Sequence, residues 1–232
     1  MMSFLDVTYL ESSTDNHVLA TLCDKIKQSQ VLPAGICVFL RDLAFVKQQL
    51  AKHLISFVTV ANFPDGRASY SQVHSQLNEA KILGALEVDV VIPYQTFLED
   101  RDFNAVAKFV ELCRSELSHQ KLKIILESGA LANDDVYRLS KVACENGADF
   151  IKTSTGKISV GATLPAVEAI IKAIKEHTAR PVGLKVSGGV RTKEQAQSYL
   201  DCVTTHLGSA YHSPALFRIG ASTLFEALSF TQ

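Results

Sequence analysis

The 232-residue chain has no excess of either charge: 23 Lys and Arg stand against 24 Asp and Glu, for a formal net charge of -1. Both signs are spread along the sequence, so there is no basic stripe to neutralise a nucleic-acid backbone. Long apolar runs are missing too, and none approaches the ~20 residues of a membrane span. The N-terminus places Asp6 early and has no basic segment ahead of an apolar core, so no export signal is read there. These absences predict a cytoplasmic protein with neither nucleic acid nor membrane as a partner. Cysteine is sparse: Cys23, Cys37, Cys113, Cys144 and Cys202 form no CxxC pair, and the seven histidines supply no HxH or HExxH. Metal-ligand spacing is therefore absent locally, and reduced thiols, mostly in the core, are expected.

A linker rich in Pro, Gly and Ser is absent as well, which leaves residues 1–232 as one domain. At 47% hydrophobic and 20% charged residues, the chain has enough apolar material for a large core. Short β-branched or apolar runs alternate with longer stretches of helical period, the pattern of an α/β fold with parallel strands. Eight strands are predicted: Leu5–Tyr9, Gly35–Phe39, Ser56–Val60, Val88–Ile92, Lys123–Leu126, Phe150–Lys152, Val182–Lys185 and Phe217–Ile219. Seven helices connect them: Asn16–Lys27, Leu43–Lys52, Tyr70–Leu83, Phe103–Leu117, Asn133–Asn146, Leu164–His177 and Lys193–Leu200. Asn62 to Arg67 and Gln95 to Asp102 read as loops. An open doubly wound sheet would carry a Gly-rich turn after its first strand, and Asp6 to Glu11 contains no glycine. The expected fold is a TIM (β/α)8 barrel.

In such a barrel the working residues sit at the C-terminal ends of the strands, so polar residues that interrupt apolar strands are the first candidates. Asp89, Lys152 and Lys185 stand out. A buried lysine is costly unless neutral or paired, because desolvation penalises the ammonium. That cost suits one chemistry: an unprotonated amine attacks a carbonyl, and a second cation nearby favours the unprotonated form. Lys152 and Lys185 fall on consecutive predicted strands and can divide these roles. With period two, Glu87 and Asp89 share one face of their strand, and an inward Asp89 can move protons at a departing hydroxyl. Gly188-Gly189-Val190-Arg191 and Gly220-Ala221-Ser222-Thr223 follow the last two strands, where this fold cradles phosphate, and Thr155-Gly156-Lys157 joins them.

These segments resemble the deoxyribose-phosphate aldolase family. The likeness rests on Glu87-Val88-Asp89-Val90-Val91-Ile92-Pro93-Tyr94, Ala148 to Gly156 around Lys152, Gly183-Leu184-Lys185 with Ser187 to Thr192, and Arg218-Ile219-Gly220-Ala221-Ser222. It extends from Leu5-Asp6-Val7-Thr8 to the last helix. The resemblance implies a class I aldolase without metal or cofactor that cleaves 2-deoxyribose 5-phosphate to glyceraldehyde 3-phosphate and acetaldehyde. It further implies Lys152 as the Schiff-base lysine, Lys185 as the lysine that perturbs its protonation, and Asp89 as the carboxylate that relays protons through a water. Gly156, Lys157, Gly188, Gly189, Arg191, Gly220 and Ser222 would hold the phosphate, Thr155 would lie near the sugar hydroxyls, and Asp6 at the edge of the proton network. Two departures carry expectations of their own. Val186 replaces the small residue or proline more common after the second lysine, which points to an altered aim of Lys185 or an altered aldehyde pocket. The chain ends at Gln232 without the tyrosine-ending tail of some members, so either activity should be lower or proton transfer should rely more on Asp89 and water.

Two other readings stay open at this point: a class I aldolase acting on a different phosphosugar, and a sugar-phosphate-binding module without the lysine chemistry. A homodimer is expected because isologous dimers are the commonest assemblies of soluble enzymes.

Overall fold

Side chains along a strand alternate between two faces, so a strand walled in on both sides reads as a continuous apolar run broken wherever one face needs polar groups. In the computed structural model, which describes residues 1–229, eight such strands hydrogen-bond in chain order and close on themselves. They are β1 (Leu5–Tyr9), β2 (Gly35–Val38), β3 (Ser56–Ala61), β4 (Glu87–Val91), β5 (Lys121–Ile125), β6 (Phe150–Lys152), β7 (Gly183–Ser187) and β8 (Phe217–Ala221). Every pair is parallel, and β1 closes the barrel on β8 with Asp6 opposite Gly220. The fold is therefore the single closed TIM barrel expected. The expectation about the chain end at Gln232 falls outside the described residues.

Among the described residues the barrel is ringed by α1 (Asn16–Lys27), α2 (Leu40–Leu50), α3 (Tyr70–Ile82), α4 (Tyr94–Asp100), α5 (Phe103–Glu116), α6 (Asn133–Glu145), α7 (Leu164–Glu176), α8 (Lys193–Leu207) and α9 (Leu224–Ser229). Their starts are set by side chains that satisfy free N–H groups. Asp15 caps α1 and Asp102 caps α5, Thr163 caps α7, and Ser69 with Gln72 and Thr192 with Gln195 form capping boxes on α3 and α8. The helices bury their apolar stripes against the outward side chains of the strands, where Val88, Val90, Ile124, Ile151, Leu184 and Ile219 join one core.

Three of the differences from the predicted boundaries are the following. Tyr94–Asp100, expected to be loop, is a helix that buries Tyr94 and Phe97; at seven residues behind Pro93 it is too short to show a period. Lys193–Leu207 runs seven residues past its predicted end, because Val203 continues the buried stripe of Ala196 and Leu200 through weaker helix formers such as Thr204 and Thr205. Lys121–Ile125 begins two residues earlier than predicted, which moves Lys123 from the strand edge to its middle. Of the five cysteines, all free, four are buried and Cys202 is half-buried.

Candidate active site

The inward face of the strands carries ions where a barrel of this type commonly carries layers of branched apolar side chains. β1 contributes Asp6, β4 Glu87 and Asp89, β5 Lys123, β6 Lys152, β7 Lys185 and β8 Arg218, all of them buried. Register explains the meeting: Asp89 lies opposite Lys123, Lys152 opposite Lys185, and Lys185 opposite Arg218. Asp89 is the hub. Its Oδ2 accepts from Lys152 Nζ and Lys185 Nζ, each at 2.8 Å, and its Oδ1 accepts from Lys123 Nζ at 2.9 Å. Lys185 also donates to Asp6 Oδ2 at 2.5 Å. Arg218 joins Asp6 at 2.5 Å to Glu87 at 3.0 Å, and Lys123 lies 2.5 Å from Glu87 Oε2 in a close ion pair.

Each group pays for its burial through its neighbours. Burial alone would raise the carboxyl of Asp89, but Lys123, Lys152 and Lys185 outweigh it and hold the group well below the usual carboxylate range. Asp6 is held low in the same way by Lys185, Arg218 and Lys123, and Glu87 chiefly by Lys123 against its own desolvation. Burial pulls the Lys185 ammonium down, yet Asp6 and Asp89 raise it well above an ordinary lysine; Lys123 is raised by Asp89 and Glu87. Lys185 and Lys123 are therefore fixed cations at neutral pH. Burial pushes the nearby Cys37 thiol up to about 11, which keeps it protonated and a poor nucleophile there.

Above the ion cluster, at the C-terminal mouth, lies a cavity of about 560 Å³. Its wall takes in Lys152 together with Thr155, Gly156, Lys157, Gly188, Gly189, Arg191, Gly220 and Ser222. All these predicted residues thus share one cavity. Lys185, Asp89 and Asp6 do not reach its wall: they lie beneath it, and Asp6 is fully buried between Lys185 and Arg218. Of the cluster's basic groups, Lys152 alone lines the cavity. The β6–α7 loop lies directly on the β7 loop. A side chain at Gly161 would place Cβ 2.3 Å from the carbonyl oxygen of Gly188, so only glycine permits the approach. Across the mouth Lys157 Nζ donates to the carbonyl of Leu10 at 2.7 Å.

Val186 faces away from the site. It is fully buried in the core between strands and helices, opposite Ile219, and does not line the cavity. The expectation that it alters an aldehyde pocket is corrected: the alternation that points Lys185 inward points its neighbour outward. Sequence reasoning missed Lys123 and gave Arg218 no role, although both are charges within apolar strands. It also missed Glu127, a buried carboxylate behind β5 that no motif marks. Among the described residues no group of three His, Cys, Asp or Glu side chains is arranged to hold a metal ion, and no helix is long and apolar enough to cross a membrane.

Comparison with known proteins agrees with this fold. A curated deoxyribose-phosphate aldolase of Agrobacterium fabrum is 37% identical over 228 residues, covering 97% of this chain and 87% of its own length. A crystal structure from Coccidioides immitis superposes with a TM-score of 0.84 at 26% identity, over 98% of this chain and 85% of that one. The tetrameric deoxyribose phosphate aldolase of Aeropyrum pernix, at 22% identity, shares the fold with a TM-score of 0.76 over 99% of this chain and 91% of its own. The sequence profile described as DeoC/LacD family aldolase matches residues 5–225. A closed barrel with a lysine at the floor of its mouth, matched over nearly its whole length, makes this chain an enzyme of the DeoC/LacD family of aldolases.

Proposed function

We propose that the enzyme, working as one catalytic barrel over residues 1–232, is a deoxyribose-phosphate aldolase. It would cleave 2-deoxy-D-ribose 5-phosphate reversibly to D-glyceraldehyde 3-phosphate and acetaldehyde through a Schiff base on Lys152. The observation that carries this reading is that Lys152 is the basic group of the inner cluster that opens into the cavity, with its Nζ 2.8 Å from Asp89. Attack on a carbonyl needs the free amine. Around it, Lys123, Lys185 and Arg218 pair with the carboxylates of Asp6, Glu87 and Asp89.

In this scheme Lys152 adds to C1 of the open-chain aldehyde and water leaves to give the iminium. The C3 hydroxyl gives up its proton, relayed through water to Asp89, as the C2–C3 bond breaks. Its electrons move into the iminium to form an enamine, and the three-carbon aldehyde phosphate departs. Protonation at C2 and hydrolysis then release acetaldehyde and restore the amine. Lys185, fixed as a cation by Asp6, holds Asp89 as the anion next to Lys152. The phosphate would rest on Gly156, Lys157, Gly188, Gly189, Arg191, Gly220 and Ser222, with Thr155 beside the sugar hydroxyls. Backbone N–H groups at glycine turns and two cations suit a dianion. This chemistry uses no metal or cofactor, so EDTA should leave turnover unchanged.

Borohydride trapping with deoxyribose 5-phosphate, read by peptide mass spectrometry, tests the proposal. An adduct on Lys152 together with turnover supports it. An adduct seen only with another phosphosugar moves the enzyme to a different substrate, and no adduct with any sugar leaves a binding module. A cytoplasmic homodimer is proposed as the working form, and light scattering in solution decides its stoichiometry.

A further inference from the structure

Glu127 lies outside the ion cluster, directly behind β5, and is fully buried. Its backbone is left-handed, with φ 58 and ψ 56, a conformation that a glutamate rarely adopts and that persists where surrounding contacts enforce it. The hydrogen bonds to its side chain come from the β6–α7 loop. The Thr155 hydroxyl donates to Glu127 Oε2 in a short bond, and the Thr155 N–H donates to Oε1 at 3.2 Å. Thr155 Oγ1 in turn accepts the N–H of Lys157 at 3.1 Å. Lys157 amide, Thr155 hydroxyl and Glu127 carboxylate therefore form a single relay of hydrogen bonds, which fixes the direction of the hydroxyl proton.

The residues after Glu127 complete a seat for the same loop. Ser128 N–H donates to Thr153 O at 2.8 Å, and the Ser128 and Ser154 hydroxyls lie 3.3 Å apart. At Gly129 a Cβ would fall 2.0 Å from the carbonyl oxygen of Val160, so backbone rests on backbone there. Burial raises the Glu127 carboxyl above its ordinary value, and a charged acceptor that is costly to bury is an expensive way to hold a loop unless the loop's position matters. Glu127 does not line the cavity, whereas Thr155, Gly156 and Lys157 do.

We propose that Glu127 is a positioning residue: through Thr155 it sets the Thr155-Gly156-Lys157 turn against the phosphate end of the substrate. The inference rests on the phosphosugar reading above. Lys152 itself is held by its strand, paired in register with β5 and β7, and so does not depend on this loop for its place. Loss of Glu127 should accordingly weaken recognition of the phosphate more than bond cleavage.

The test is aldol cleavage of 2-deoxyribose 5-phosphate and of unphosphorylated 2-deoxyribose by wild type, Glu127→Ala, Glu127→Gln and Thr155→Val. The readout is the ratio of the two kcat/KM values. In Glu127→Ala this ratio should fall by roughly tenfold or more, the effect of losing a hydrogen bond to a charged group, with the loss in KM rather than kcat. Glu127→Gln keeps one acceptor oxygen and should fall between wild type and the alanine variant. The double variant Glu127→Ala/Thr155→Val should be no worse than the worse single one, because the two residues act as one unit. Equal losses on both substrates, or additive effects in the double variant, would overturn the proposal. If Glu127→Ala does not fold, Thr155→Val removes only the hydroxyl and reads the same ratio. A wild type that fails to cleave deoxyribose 5-phosphate defeats the functional reading itself, while one that cleaves it with variants unselective in their loss defeats only the role of Glu127.

Discussion

Lys123 and Ile124 are neighbours on β5, both fully buried, yet they belong to different regions of the molecule. Ile124 faces the helices and joins Val88, Val90, Ile151 and Leu184 in the outer core. Lys123 faces the barrel axis and joins Glu87 and Asp89. The outer face follows the hydrophobic effect, each fully buried branched side chain contributing roughly 1.5–3 kcal/mol. The inner face gives up much of that stabilisation, since a buried ion pair does little better than well-packed apolar residues of similar size. Stability thus comes mainly from one side of the strand wall, while the other side holds the ion cluster beneath the cavity.

Substitutions one residue apart can break or sharpen this division. The largest effect belongs to Lys152→Leu. Turnover should fall by roughly four orders of magnitude or more, as for loss of other nucleophiles. The melting temperature should move little, because Asp89 keeps Lys123 and Lys185. Lys123→Met comes next: it leaves Glu87 and Asp89 short of a cation and should cost about 3–5 kcal/mol in denaturant unfolding. It should also lower kcat, because Asp89 loses one of its three holders. Ile124→Ala should cost about 2–5 kcal/mol in the same measurement while kcat stays within about twofold. If Ile124→Ala lowers kcat as much as Lys123→Met does, the two faces are not separable in this way.

Acid should reach the inner face alone, and more gradually. Asp6, Glu87 and Asp89 all have depressed folded-state values. Their contribution is therefore present above the unfolded carboxyl value near pH ~4 and lost as pH falls through the lower folded values. The raised lysines behave in the opposite sense: the contribution of Lys123 and Lys185 is present below the unfolded lysine value near ~10.4 and lost as pH rises through their folded values. Calorimetry across pH should give a melting temperature that is level between about 5 and 9 and declines beyond both limits. A decline already under way between pH 6 and 7 would contradict this assignment of charges.

The same division explains what the sequence discloses. The outer face and the helices repeat with simple periods, so the barrel is legible from alternation alone. The inner face is legible only as a departure from those periods. Asp89 and Lys185, flanked by valine and leucine inside their strands, are such departures. Lys123 is one too, but a strand predicted to begin at Lys123 presents it as an edge residue open to solvent, and only the earlier start at Lys121 encloses it. Arg218 was hidden similarly, one residue inside a strand predicted to be short. Glu127 leaves no trace in pattern: its left-handed backbone and its bond to Thr155 depend on where β5 and β6 end side by side, which is a property of register and not of local sequence.

The smallest effect should come from ion pairs outside the barrel, which sharpen the comparison by removing charge without burial. Lys25 on α1 and Glu226 on α9 meet at 2.6 Å, shorter than the contact between Lys152 and Asp89, but with side chains 40% and 58% exposed. Water screens the pair, and ordering two flexible side chains costs about what the contact returns, so such pairs contribute about 0–1 kcal/mol. Glu226→Gln should therefore shift unfolding by less than about 1 kcal/mol and leave turnover unchanged, and added salt should erase the difference. Should Glu226→Gln destabilise as strongly as Lys123→Met, distance rather than burial would govern the worth of ion pairs in this protein. The inner cluster would then need no account in terms of its place inside the barrel.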